Sequence, residues 1–175
     1  MSIPDIAIEM LSPVRAQELL EQLILLIQNS VNNGASIGFL RPLSVETATT
    51  YWQTVFKALQ AHEKIVLVAI INNQVVGSVQ TELCPKQNGT HRAEVQKLMT
   101  LTTHRQHGVA RKLMNGIEQA AREARRSTLF LDTVTGKPAE IVYSRLGWQR
   151  SGCIPNYAVS PDGEMESTTI FYKLI

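Results

Sequence analysis

The stretch Arg92 to Ala124, RAEVQKLMTLTTHRQHGVARKLMNGIEQAAREA, constrains the fold more than any other part of the chain. It begins as a strand, with apolar Val95, Leu98, Met99 and Leu101 set among Glu94, Gln96 and Lys97; the adjacent Leu98-Met99 pair breaks the alternation and predicts a bulge. It continues as a helix, because Val109, Leu113, Ile117, Ala120 and Ala124 recur at three- and four-residue spacing. Between the two lies Thr102 to Ala110, a tight turn with Gly108 at the helix start. Strand, turn and helix together make an anion site, since the first helical N–H groups lack internal partners and the helix dipole adds positive potential. No carboxylate occurs from Val95 to Ile117, whereas Lys97, Arg105, Arg111 and Lys112 all do. That pattern favours a polyphosphate over a cation.

The Walker signature and the three-glycine dinucleotide fingerprint are both absent. What remains is Arg105-x-x-Gly108-x-Ala110 after an apolar strand and before an amphipathic helix. This resembles the coenzyme A pyrophosphate loop of the GNAT-superfamily N-acetyltransferases, which reads Gln/Arg-x-x-Gly-x-Gly/Ala.

The rest of the chain is consistent with that frame. With 175 residues, 44% of them hydrophobic and 18% charged, the sequence reads as one globular domain spanning 1–175. A net charge of +2 implies no general attraction for nucleic acid. Met1 is followed by Pro4, Asp5 and Glu9 rather than by a signal peptide, and the apolar run Leu23 to Ile27 is too short to span a bilayer. The expectation is a soluble, cytoplasmic protein with no membrane partner. Cys84 and Cys153 lack a CxxC pattern or a nearby histidine and read as small buried hydrophobes of a reducing compartment. His91, His104 and His107 form no metal-ligand spacing, so no metal is expected, and His104 and His107 read as flanking the phosphates.

In order, Ile3 to Met10 alternates as a strand, and Ser12-Pro13 opens a helix running to Asn32-Asn33-Gly34. Asn33 to Phe39 is a loop of small residues, and Ser44 caps a second helix bearing Tyr51, Trp52, Val55, Phe56 and Leu59. Lys64 to Ile71 and Gln74 to Leu83 are strands joined at Asn72-Asn73. Past the anchor helix come a strand from Ser127 to Val134 and a helix opened by Gly136-Lys137-Pro138 and closed by Gly147. Strands Trp148 to Tyr157 and Glu166 to Leu174 follow, with Pro161-Asp162-Gly163 in the turn. The order β-α-α-β-β-β-α-β-α-β-β predicts an α/β (α+β) architecture: a mixed, mostly antiparallel sheet with helices on both faces. It matches the GNAT acyl-CoA N-acyltransferase fold. Within that superfamily, the NGASIGF, RAEVQKLM and Leu131-Asp132-Thr133 segments and Pro155-Asn156-Tyr157 are similar to the tabtoxin-resistance acetyltransferases, which acetylate a β-lactam toxin derived from an amino acid.

The resemblance implies acetyl-CoA as cofactor and assigns residues. Coenzyme A would lie on the backbone of Leu98, Met99, Thr100 and Leu101 and on Arg105, Gln106, His107, Gly108, Val109, Ala110 and Arg111. An amine attacking a thioester must be neutral, and the departing thiolate needs a proton. Tyr143, on the apolar face of its helix, reads from pattern as a core residue; the resemblance makes it the acid. Glu94 and Asp132 would act on the amine directly or through water, although by pattern they also suit a solvent-facing strand position and a turn cap. Ser36 and Phe39 would line the acceptor side, where a compact zwitterion fits better than a long basic peptide. The sequence thus points to an acetyl-CoA-dependent N-acetyltransferase for a small-molecule amine, a toxin or antibiotic of the tabtoxin type. A peptide or protein N-acetyltransferase is the alternative, followed by a non-enzymatic CoA-binding module, and a homodimer stays open.

Overall fold

The computed structural model describes residues 5–160 and 162–175. Ile3 and Pro4, where the first strand is expected to begin, and Pro161 of the last turn lie outside them. Seven strands form one sheet: β1 (Ala7–Met10), β2 (Lys64–Ile71), β3 (Gln74–Leu83), β4 (Arg92–Thr100), β5 (Thr128–Val134), β6 (Gln149–Val159) and β7 (Met165–Leu174). They lie in the order β1-β2-β3-β4-β5-β7-β6, and every pairing is antiparallel except β4 with β5. The expected mixed, mostly antiparallel sheet is what forms.

Helices cover both faces. On one, α1 (Pro13–Glu18), α2 (Leu20–Asn32) and α3 (Val45–Gln60) bury Leu23, Ile27, Trp52 and Val55 against Val66, Val68 and Met99. On the other, α4 (Val109–Glu123) and α5 (Pro138–Arg145) bury Leu113, Ile117 and Tyr143 with Val95, Leu129 and Phe171. The sequence predicts one helix from Ser12 to the Asn32 region. Ser12 does cap it, accepting the Arg15 N–H at 3.1 Å, but the helix is interrupted at Leu19, where ψ opens to 3°. The Leu19 N–H still reaches the Arg15 carbonyl at 3.1 Å, so the interruption leaves little backbone unpaired. Arg15 also ties this first turn to β1 through Glu9.

Two local departures shape the centre of the sheet. Asn72 and Asn73, both at positive φ, close the β2–β3 hairpin as their side-chain chemistry predicts. The bulge in β4 lies one step earlier than the Leu98-Met99 pair suggests: Ser78 faces Met99 and Gln80 faces Gln96, so Lys97 and Leu98 together oppose one residue of β3. Lys97 takes a left-handed φ of 53°, a conformation costing a non-glycine residue about 1 kcal/mol. The extra residue inverts the facing of everything after it. Val95 therefore packs with α4, whereas Met99 packs with α2 and α3.

The α4 face is tied to the far end of the sheet by a buried ion pair. Glu118 accepts two hydrogen bonds from Lys173 Nζ at 2.8 and 2.9 Å and one from Trp148 Nε1 at 3.1 Å, while Lys173 also donates to the Leu146 carbonyl at 2.7 Å. This fixes the C-terminal end of α5, and with it Tyr143, relative to α4. The cysteine expectation is corrected: Cys84 is half-buried and Cys153 is exposed, because Cys153 sits on the edge strand β6 rather than in either core. Among the described residues no helix is long and apolar enough to cross a membrane. Glu118→Gln keeps the shape but strands a partly buried ammonium, and should cost about 2 kcal/mol, lowering Tm by about 4–8 °C. Adding Lys173→Met should recover part of that loss in the same thermal scan.

Candidate active site

The site is built where β4 and β5 stop pairing. Their parallel register runs only from Arg92–Thr128 to Glu94–Phe130, yet β4 continues to Thr100 and β5 to Val134. The strands part beyond Glu94, and the β5-facing edge of β4 is left without a strand partner. Alternation within an antiparallel ladder decides which groups look into this gap. The Leu101 N–H is bonded to the Val76 carbonyl at 2.8 Å, so Thr100, one residue before it, turns its backbone groups toward the gap. Of Leu98 to Leu101, then, Thr100 offers free backbone there and Leu101 does not.

Past the strand, Thr102 is held by Asn29 of α2, whose Oδ1 accepts the Thr102 N–H at 3.0 Å. The chain then turns through Gln106, at φ 65°, and Gly108, at φ 82°. Gly108 is the residue before α4, and having no side chain it leaves the helix uncapped. The first intrahelical bond is Lys112 N–H to the Gly108 carbonyl at 3.0 Å, so the N–H groups of Val109, Ala110 and Arg111 lack helical partners. A Cβ on Gly77 of β3 would come within 2.8 Å of Val109 Cγ1 and the Met99 carbonyl, so only glycine lets this helix start sit so close to the sheet.

Arg105, Gln106, His107 and Arg111 are exposed around the turn. The four cations counted in this region do not act together: Lys112 donates to the Ile6 carbonyl at 3.0 Å, and Lys97 lies over the rings of Phe39 and Tyr51 at 6.0 and 5.9 Å. Arg105 and Arg111 are the cations left to the loop. His104 Nδ1 is engaged by Thr103 Oγ1 at 2.9 Å.

Tyr143 belongs to the core of the α4–α5 face. Its ring packs against Trp148 and Phe171, with centroids 6.2 and 5.9 Å apart, and the residue is 7% exposed. Burial, and then the charge of Asp132, push its phenol well above the ordinary range, so it keeps its proton. Asp132 lies two residues beyond the last β4–β5 pair; its Oδ2 accepts a hydrogen bond from the buried Thr168 hydroxyl at 3.0 Å rather than capping the following turn. Glu94 is half-buried at the last paired position.

Across the sheet, Phe39 meets Tyr51 edge-on at 5.2 Å, so the small-residue loop is brought against α3. Ser36 is half-buried, and no side chain among the described residues hydrogen-bonds its hydroxyl. Three residues of this face were not singled out from the sequence for it: Lys97, Tyr51 and Gln80, whose Oε1 accepts the Tyr51 hydroxyl at 2.9 Å. A lone lysine inside an apolar strand, three residues from a carboxylate, is the signal that could have found the first of them.

An unpaired strand edge beside an uncapped helix start is what a pantetheine arm followed by a pyrophosphate requires. The sequence pattern described as the Acetyltransferase (GNAT) family matches residues 29–148, more than half of the chain. The chain belongs to the GNAT acetyltransferase family. Solved structures agree on the fold of this GNAT protein. A ribosomal-protein-alanine N-acetyltransferase from Brucella melitensis is 20% identical, with a TM-score of 0.78 over 97% of this chain and 99% of that one. A candidate acetyltransferase from Salmonella typhimurium, solved with its cofactor acetyl-CoA, is 18% identical, with a TM-score of 0.76 over 97% and 93%. A candidate phosphinothricin N-acetyltransferase is 16% identical, with a TM-score of 0.78 over 97% and 98%. Members of the GNAT family use acetyl-CoA, and the residues of this gap fit it.

Gly108→Val tests the loop. The nearest atom to an added Cβ is a terminal guanidine nitrogen of Arg111 at 3.8 Å, so the protein itself leaves room, but φ 82° strains any branched residue. Calorimetry should show CoA affinity reduced by about tenfold or more, about 1.4 kcal/mol. Gly163→Val, at φ 90° with nothing within 4 Å, carries matched strain in the β6–β7 turn and should leave CoA affinity unchanged.

Proposed function

We propose that this GNAT acetyltransferase transfers acetyl to the amine of a small molecule, a toxin or antibiotic of the tabtoxin β-lactam type, in the cytoplasm. The observation that carries the reading is that the carboxylates of Glu94 and Asp132 flank the point where β4 and β5 part, and that Asp132 bears on the buried Tyr143 phenol. Thr100 offers its free backbone groups to the pantetheine arm, and Leu98, Met99 and Leu101 border the arm beside it. Arg105, Gln106, His107 and Arg111, with the backbone of Gly108, Val109 and Ala110, hold the phosphates. Acetyl-CoA, when bound, supplies an activated acetyl thioester.

The chain's own residues then divide the proton work. An acceptor amine arrives as an ammonium and must lose a proton before it can attack. Glu94 and Asp132 take it, directly or through one water. The Thr168 hydroxyl, shared between Oδ2 of Asp132 and the Thr133 carbonyl, lies against one carboxylate oxygen and leaves Oδ1 for the acceptor. Tyr143 holds a proton at Oη for the leaving sulfur, and burial, with the charge of Asp132, raises its pKa so that the proton stays in place at neutral pH. Ser36 and Phe39 border the acceptor.

The experiments separate these roles. Tyr143→Phe preserves the ring packing against Trp148 and Phe171, so kcat should fall about tenfold to ten-thousandfold with acetyl-CoA affinity unchanged. An undiminished kcat would leave Tyr143 as a core residue only. Glu94→Gln and Asp132→Asn should each lower kcat/KM for a tabtoxin-type β-lactam while CoA binding is retained, read by thiol release and calorimetry. Efficient acetylation of peptide N-termini or lysines, with no turnover of small amines, would overturn the acceptor assignment.

A further inference from the structure

The face of the sheet opposite Tyr143 holds a cation, Lys97, that forms no salt bridge among the described residues. Lys97 carries no ion pair or hydrogen bond among the described residues, although it is largely enclosed. Its Nζ stands 6.0 Å from the Phe39 ring and 5.9 Å from the Tyr51 ring, a cation–π setting. The loop closes over it from the other side: a Cβ built on Gly38 would lie 3.4 Å from Nζ. The backbone of Lys97 sits in the strained left-handed bulge, and that bulge swings the side chain to this face.

The neighbours do not explain the lysine away. Lys64, the other cation that bears on Lys97, is already paired with Glu82 at 2.7 Å and with Gln96 Oε1 at 3.0 Å. Glu94 and Asp132 bear on Lys97 through space but form no salt bridge with it, and burial with Lys64 outweighs them, lowering its proton affinity. Gln80, fully buried beneath, uses its Oε1 for the Tyr51 hydroxyl and leaves Nε2 without a partner. A buried amide donor and a lysine ammonium therefore both border Tyr51, and among the described residues nothing accepts from either. A burial of this kind is costly unless an anion completes it.

We propose that Lys97 is the specificity-determining residue for the acceptor, and that it receives an acidic group carried by the same small molecule whose amine meets Glu94 and Asp132. The acceptor is then an amino acid or an amino-acid-like zwitterion: ammonium toward the two carboxylates, carboxylate or other oxyanion toward Lys97, and the intervening carbon skeleton against Phe39 and Tyr51. This rests on the small-amine reading above and narrows it. Simple amines of equal size lack the second charge and leave Lys97 unpaired, so they are discriminated against by the protein's own unsatisfied groups.

The test compares amino acids with their own carboxamides as acceptors, measured by thiol release at saturating acetyl-CoA. Wild-type protein should prefer the acid by about tenfold to hundredfold in kcat/KM, the range expected of one hydrogen bond to a charged group. Lys97→Met keeps the stem between the two rings and should erase that preference by slowing the acids alone, with carboxamide rates and CoA affinity held. Lys97→Gln, isosteric in its first carbons, guards against a folding defect in the first variant and should behave alike. Carboxamides acetylated as well as acids by the wild-type protein, or a preference that survives both substitutions, would overturn the assignment of Lys97 and leave the small-amine reading standing. No turnover of any small amine would overturn both.

Discussion

The parting of two parallel strands is the constraint on which the rest of this structure depends. β4 and β5 share three register positions and then separate, although both continue. Inside a sheet, backbone N–H and C=O groups are normally paired, and leaving an edge open in the middle of the molecule is costly unless something fills it. The bulge at Lys97 and Leu98 adds to the divergence by increasing local twist and by reversing the facing of Met99. A gap made this way is lined by main chain rather than by side chains. It suits a ligand that brings its own amides, and the GNAT family's use of acetyl-CoA answers that need.

The gap also divides the labour between the two faces. On the α4 side are the uncapped helix start, the exposed Arg105 and Arg111, and the phenol of Tyr143 buried among Trp148 and Phe171. On the α1–α3 side are Phe39, Tyr51 and Lys97. Glu94 ends the β4–β5 pairing, and Asp132 lies two residues past its partner. Two fixtures hold the halves in register. Asn29 grips Thr102 from α2, and Glu118 on α4 grips Lys173 and Trp148 near the end of α5. The first ties the turn after β4 to the α1–α3 face. The second ties the end of α5, next to the phenol, to α4.

How much of this could be read beforehand follows from which residues announce themselves. The β4-turn-α4 unit was legible because its apolar spacing changes from strand to helix across a turn containing Gly108, and because Asn72-Asn73, Ser12-Pro13 and Ser44 carry local turn and cap chemistry. The break at Leu19 was not, since Leu19, Leu23 and Ile27 keep helical spacing straight through it. The doubled apolar pair points to a bulge one step late, because the left-handed residue is a lysine, an unusual type for that conformation. Lys97 looked like one member of a basic loop; only the inverted facing shows it turned to the aromatic pair instead. The partner that orients Asp132, Thr168, comes from β7 and is 36 residues away, beyond the reach of any local pattern.

The central claim, that the strand edge and helix start left open by this parting receive coenzyme A, is tested most directly by amide hydrogen exchange resolved residue by residue, with and without saturating CoA. The account predicts slowed exchange at Thr100 on β4 and at Val109, Ala110 and Arg111 at the start of α4, with Leu101, already bonded to Val76, changing little. Bound CoA that leaves Thr100 and the first α4 amides exchanging at their unliganded rates would contradict it.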